Sequence, residues 1–197
     1  MRRIIKAKEL CDRGTVACAR WLLGKYLLRR LADGRVEAHM ITEVEAYDGE
    51  HDLACHARAG CTPRTEVLYR AGGIWYVYLC YGIHEMLNLV VRPRGEPAAI
   101  LIRGVQGVHG PGRLTKRFEI NRRLNGARAV PASGLWIEDR GVRVPRDCVQ
   151  ATPRIGVNYA GPIWAKKPWR FIIKDARTRQ EMPASVNAAR EHRRVPS

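Results

Sequence analysis

Met40-Ile41-Thr42-Glu43-Val44-Glu45-Ala46-Tyr47-Asp48-Gly49-Glu50-His51-Asp52-Leu53-Ala54-Cys55-His56 is the stretch on which the reading of this chain turns. The protein carries a formal net charge of +16, yet five of its acidic residues fall between Glu43 and Asp52. Met40, Thr42, Val44 and Ala46 alternate with Ile41, Glu43, Glu45 and Tyr47, which predicts a strand over 40–47. A period of two puts Glu43, Glu45 and Tyr47 on one face, and Asp48-Gly49 ends the run with a turn. The strand thus delivers two carboxylates and a phenol toward a loop that holds His51 and His56. Two readings stand at this point. Paired acids on a strand are commonly a solvated face balancing nearby Lys and Arg; the sharper reading is a reactive centre inside a surface built for a polyanion.

Composition narrows the choice. A chain of 197 residues with 46% hydrophobic and 27% charged content suits one soluble globular domain over 1–197. It has no apolar run of about 18 residues, so no transmembrane helix is expected. The start, Met1-Arg2-Arg3-Ile4-Ile5-Lys6, is basic but lacks the apolar stretch of a secretory signal. Thirty-five Lys and Arg against nineteen Asp and Glu point to nucleic acid or an acidic membrane surface. The excess concentrates in 103–128, with seven basic residues and one acid, and in 163–197, with nine and three. No long basic amphipathic helix is evident, so nucleic acid is the expected partner and a membrane is not. The six cysteines form no C-x-x-C pair and read as reduced thiols. His51, Cys55, His56 and Cys61 match no common zinc spacing, so no metal and no cofactor is expected.

Outward from the central stretch, 7–24 looks helical, with Thr15 as N-cap and Gly24 as C-cap. Lys25 to Leu31 reads as a strand joined by an Asp33-Gly34 hairpin turn to the strand at 40–47. Residues 57–73 form a loop carrying Arg58, Arg64 and Arg70, either solvated or placed for phosphate contacts. Ile74 to Gly82 and Met86 to Val91 predict a protruding hairpin over 74–92 with Tyr81, Gly82, Ile83 and His84 near its tip. Trp75 or Val77 should be core, and an aromatic at the tip, Tyr81, is a candidate wedge for DNA. Ala98 to Gly104 is a further strand ending near Arg103. Gly110-Pro111-Gly112 opens a basic helix over 113–123, whose Arg113 and Lys116 suit backbone phosphates. Residues 154–158 and 169–174 read as the last strands, and the charged tail 175–197 as frayed. The expected fold is mixed α/β (α+β): one domain with a curved, mostly antiparallel sheet and flanking helices.

Several of these segments together resemble the alkyladenine (3-methyladenine, or methylpurine) DNA glycosylase family. They are Thr42-Glu43-Val44-Glu45-Ala46-Tyr47, His56-Ala57-Arg58, Thr62-Pro63-Arg64, Tyr76 to Gly82, Asn88, Leu101-Ile102-Arg103, Gly110 to Leu114 and Lys167 to Phe171. The likeness runs over about 6–174 and suggests the bare catalytic core of bacterial members. It implies Glu45 as the general base that activates water, with Arg103 and the backbone carbonyl of Ile155 holding that water. It implies Tyr47, His56 and Tyr78 as walls around a flipped base, the His56 amide as a base-reading donor, and Asn88 as a guard against guanine's amino group. Tyr81 matches the residue inserted into the emptied stack. Arg58, Arg64, Arg113 and Lys116 are the expected DNA contacts. The sequence departs from vertebrate members at Ile83 and His84, and has Ile155 where they have valine.

The chemistry implied is hydrolysis of the N-glycosidic bond of a damaged purine in double-stranded DNA. O-glycosidases use two carboxyl groups, one as acid. An alkylated purine is already cationic and leaves with less acid help, so one ionised carboxylate can suffice. Arg103 is expected to keep Glu45 ionised, and the aromatic faces to favour a cationic base. No lysine occurs in 40–103, so a Schiff-base mechanism is not expected. The alternative is a non-catalytic nucleic-acid-binding protein, which has no reason to hold Glu45 in a basic groove. The expected state is a monomer, cytoplasmic in a bacterium or nuclear in a eukaryote.

Overall fold

In a computed structural model, which describes residues 2–174, short helices and ten strands follow one another along the chain. The order is β1 (Arg3–Ile4), α1 (Ala7–Cys11), α2 (Thr15–Leu22), β2 (Tyr26–Arg30), β3 (Val36–Asp48), β4 (Ile74–Cys80) and β5 (His84–Val90). Then come β6 (Ala98–Val105), β7 (Val108–His109), α3 (Pro111–Arg117), β8 (Leu135–Asp139), β9 (Val149–Thr152), α4 (Gly161–Lys166) and β10 (Arg170–Ile173). The strands form a curled sheet, paired throughout in antiparallel fashion, in the order β1-β8-β2-β3-β6-β5-β4. The mixed α/β single-domain reading holds. The tail 175–197 lies outside the described residues.

β3 is longer than the 40–47 expected from alternation, and it is the hub. Its first half pairs with β2, from Val36 opposite Arg30 to Met40 opposite Tyr26. Its second half pairs with β6, and Glu43 to Glu45 also pair with β10. Between Ile41 and Val44 the β3–β6 register shifts, and Thr42 and Arg103 fall out of the ladder. Such irregularities sharpen the local twist and re-aim side chains.

Period two then sorts the sheet into two faces. Val44, Ala46, Val77, Leu87, Leu89, Ile100, Ile102 and Phe171 face the main core, where Trp75 also donates its indole N–H to the Leu135 carbonyl at 3.0 Å. The opposite face is set by the register Glu45↔Leu101↔Asn88↔Tyr76 across β3, β6, β5 and β4. Residues two apart on each strand join it: Glu43, Tyr47, Ala99, Arg103, Met86 and Tyr78. A smaller core of Cys55, Ala57, Val67, Leu68, Tyr76, Val90 and Ala99 packs there under the loop after β3.

Three local expectations need correction. Residues 7–24 are two helices broken at Asp12–Gly14, and the N-cap of α2 is Gly14, with Thr15 its first residue. The Thr15 hydroxyl instead donates to the Asp48 carboxylate at the end of β3. The basic helix spans Pro111–Arg117, not 113–123. Phe118 and Ile120 are both buried, and a helix puts positions two apart on nearly opposite sides. The chain therefore breaks at Glu119, which takes φ +49. Residues 154–158 are not a strand: Gly156 adopts φ +76, which ends any extended run, and β10 pairs with β9 instead.

The 74–92 hairpin pairs from Ile74 opposite Val90 to Cys80 opposite His84. Its tip is tight: the Ile83 N–H donates to the Cys80 carbonyl, with Tyr81 at φ +50 and Gly82 at φ +69. Two positive φ values in succession are the primed geometry that matches strand twist. Glycine takes it freely and tyrosine does not. α3 braces the hairpin, since the Thr115 hydroxyl donates to the Glu85 carbonyl at 2.9 Å, and Arg122, beyond the helix, pairs with the Glu85 carboxylate.

Candidate active site

β3 ends in a cleft of about 640 Å³ roofed by the 54–68 loop. Of the residues singled out in the sequence, Tyr47, His56, Arg58, Arg64, Tyr78, Tyr81, Asn88, Arg103 and Ile155 all line it. Glu45 does not line it. It has no solvent exposure and sits directly behind Tyr47, Arg103 and Ile155, its three donors. Arg113 and Lys116 lie exposed on α3, whose first residue, Pro111, reaches the cleft.

The Glu45 carboxylate is held on both oxygens. Oε2 accepts from the Tyr47 hydroxyl at 2.9 Å and from Arg103 Nη1 at 3.4 Å, and Oε1 accepts from the Ile155 backbone N–H at 2.8 Å. A carboxylate offers about four lone-pair positions, so one on Oε1 remains open. Arg103 does not belong to Glu45 alone: its Nε donates to Glu43 Oε1 at 2.9 Å, and Arg170 Nε donates to the same oxygen at 2.6 Å. Burial raises the Glu45 carboxyl and outweighs the lowering by Arg103, the Ile155 N–H, the Tyr47 hydroxyl and Arg170. The Tyr47 phenol is pushed well above its ordinary value by burial and by Glu45, so it remains a donor.

Aromatic rings line one side. His56 and Tyr78 meet edge-on at 4.6 Å between centroids, and Tyr76 lies 5.3 Å from Tyr78. Burial, with Arg64 and Arg58 nearby, lowers the His56 imidazole to about 4, so it is neutral at physiological pH. The Tyr76 hydroxyl lies within hydrogen-bond distance of His56 Nδ1, 3.0 Å away. Asn88 is buried, and its Nδ2 donates to the Tyr76 and Met86 carbonyls at 3.1 and 3.3 Å. Tyr81 stands 88% exposed at the hairpin tip.

Several residues of the site escape a linear reading. Glu43 was grouped with Glu45, but its two arginine partners come from β6 and β10. Arg154 and Asp52 form a bidentate pair, 2.5 and 2.9 Å, with neither side chain exposed. Tyr159 lines the cleft, with Arg58 5.1 Å above its ring. Their separation along the chain hides these pairings; only the local signal of a charged residue beside an apolar run, as at Arg154-Ile155, precedes them. Among the described residues no cluster of His, Cys, Asp and Glu could hold a metal ion, and no helix is long and apolar enough to cross a membrane.

The model of the methylpurine-DNA glycosylase family matches residues 9–110 and 106–177, and the chain belongs to that family. Its relatives include a protein of Psychrobacter cryohalolentis, 43% identical over an alignment covering 83% of this chain and 89% of the relative. One of Methanocella arvoryzae is 42% identical over 86% and 92%, and one of Anaeromyxobacter sp. strain Fw109-5 is 39% identical over 95% and 98%. All three are provisionally named 3-methyladenine DNA glycosylases.

Proposed function

We propose that the protein is a monofunctional DNA glycosylase that extrudes alkylated or deaminated purines from duplex DNA and hydrolyses the N-glycosidic bond. The observation that carries this reading is the Glu45 carboxylate, fixed by the Tyr47 hydroxyl, Arg103 and the Ile155 N–H directly behind the wall that these three residues form in an aromatic cleft. The cleft's size suits a purine, and the exposed Tyr81 at its rim suits a base taken out of the stack.

In this mechanism the open lone pair on Glu45 Oε1 receives a proton from the attacking water as the water's oxygen bonds to C1′. Arg103 and Ile155, which line the cleft, hold that water, Ile155 through its carbonyl. The raised carboxyl makes Glu45 a stronger base once ionised. The negative charge it carries stabilises the sugar cation that develops as the bond to the purine breaks. Tyr47, His56 and Tyr78 enclose the base, and the backbone amide of His56 reads it. Asn88, with Nδ2 fixed by two carbonyls, excludes bases that present an extra amino group there. Tyr81 fills the gap in the duplex, while Arg58, Arg64, Arg113 and Lys116 meet phosphates.

Product release leaves an abasic site. Among the described residues lining the cleft there is no lysine to form a Schiff base. The test is excision from oligonucleotide duplexes each carrying one lesion: 3-methyladenine, 7-methylguanine, hypoxanthine or ethenoadenine. The expected outcome is a free purine and an alkali-labile strand that remains intact until alkali is added. Strand cleavage without alkali would refute the monofunctional assignment, and release of no purine from any of the four would refute the glycosylase assignment.

A further inference from the structure

Buried ion pairs are seldom kept for stability alone, because burial costs nearly as much as the attraction returns. Two such pairs occur among the described residues. Lys25 and Asp139, 3.0 Å apart, lie at the β2–β8 end of the sheet and line no part of the cleft. Arg154 and Asp52 lie against it. Arg154 uses both terminal nitrogens on the two Asp52 oxygens, and also donates to the Ala46 carbonyl at 2.8 Å and the Trp164 carbonyl at 3.3 Å. Its guanidinium sits 4.8 Å from the centre of the Tyr47 ring. Asp52 in turn accepts from the backbone N–H groups of Asp48 and Ala54, at 3.1 and 3.0 Å.

These bonds converge on the reaction centre from three segments. The Ala46 carbonyl lies between Glu45 and Tyr47 on β3. Asp52 shapes the loop that leads to His56. Arg154 immediately precedes Ile155, whose N–H donates to Glu45 Oε1. We propose that Arg154 and Asp52 are positioning residues for the reaction: their pair fixes Ile155, Tyr47 and the 48–56 loop in register with Glu45, and touches no reacting atom itself. This rests on the glycosylase reading for its catalytic consequence, but the positioning is a property of the free protein. The bidentate, stacked geometry needs the planar fork of arginine, which lysine lacks.

The test compares wild type, Arg154→Lys, Asp52→Asn and the control Lys25→Met. Backbone exchange at Ile155, measured by NMR without DNA, reads the positioning. Single-turnover release of hypoxanthine from a duplex reads the chemistry, and affinity for a duplex with a tetrahydrofuran abasic analogue reads binding. Misplacement of a reacting group by about 1 Å can cost about 100-fold in rate. Arg154→Lys should therefore exchange the Ile155 amide faster and slow release about 30-fold or more per folded molecule, with binding changed no more than about threefold. Asp52→Asn, which keeps size and one acceptor, should shift both readouts the same way and carries the test if the lysine variant fails to fold. Lys25→Met should lower the melting temperature and leave release per folded molecule unchanged. Unchanged Ile155 exchange, or wild-type release per folded molecule in a catalytically competent background, would overturn the proposal. Faster exchange in a protein that releases no purine would instead leave the positioning standing and remove the glycosylase reading.

Discussion

The backbone N–H of Ile155 reaches Oε1 of Glu45 at 2.8 Å, although 110 positions separate the two residues in sequence. That bond joins the end of β3 to the segment after β9 and leaves the carboxylate with a single open lone-pair position, on Oε1. It makes the cage around Glu45 a product of two distant segments, so on the proposed glycosylase reading small changes in either should register in the rate.

Removing one donor tests how far the carboxylate depends on its cage. Tyr47→Phe keeps the ring but deletes the hydroxyl on Oε2. A hydrogen bond to a charged group contributes about 1.5–3 kcal/mol, so the Glu45 carboxyl should rise further. The acid limb of the pH–rate profile should move to higher pH. Excision at a fixed pH within that limb should fall by about tenfold or more. An unmoved acid limb would mean that the hydroxyl does not govern Glu45.

His56 should stay neutral well below the range in which histidine ordinarily titrates. Its imidazole falls from 6.5 to about 4, chiefly by burial. Between those values the unfolded chain binds a proton that the folded protein excludes, so the His56 contribution to stability is present above 6.5 and is lost as pH falls toward about 4. NMR titration of the ring checks the first statement. For the second, wild type should lose more melting temperature than His56→Gln across that window.

Tyr81 separates stability from function. It is exposed and adopts φ +50, so Tyr81→Gly removes little packing and relieves a strain of about 1 kcal/mol or more. The melting temperature should therefore hold or change slightly, unlike the ~3 kcal/mol or more lost with a core aromatic. Stacking contributes about 1–3 kcal/mol per base, so extrusion of a well-paired lesion, read by a fluorescent reporter base beside it, should weaken by about tenfold to a hundredfold. Lesions in mismatches should lose least. Unfolding of the variant would make Tyr81 structural.

Affinity for undamaged duplex should fall steeply with salt. A net charge of +16 and exposed basic side chains such as Arg113 and Lys116 on α3 predict several phosphate contacts. The expected loss is about tenfold or more between about 50 and 200 mM salt. A flat profile would remove phosphates as the main contact.

What the sequence makes legible follows its local physics. Alternation at 40–47 and in 74–92 predicts strands because each has one face against the main core, and the same alternation puts Glu43, Glu45 and Tyr47 together. The Asp33-Gly34 turn is equally local. What fails is what depends on contacts far along the chain. Ile-Gly-Val at 155–157 looks extended until Gly156 is seen at φ +76 and Arg154 is drawn inward by Asp52. The helix after Gly110 stops early because the core needs both Phe118 and Ile120. The pull of Arg103 on Glu45 is foreseeable, but not that Glu43 shares Arg103 or that burial dominates.

Glu45 carries the central claim, and Glu45→Gln tests it most directly. Glutamine keeps the size and one acceptor oxygen but cannot take a proton from water. The wild-type carboxyl lies above its ordinary value of 4.5 because of burial, so its charged form opposes folding as pH rises through the folded-state value. The variant lacks that loss and should be at least as stable as wild type above that range. Single-turnover release of hypoxanthine from a defined duplex should fall by about 100-fold or more, with affinity for a duplex bearing a tetrahydrofuran abasic analogue retained. Release at close to the wild-type rate would contradict the assignment of Glu45 as the base.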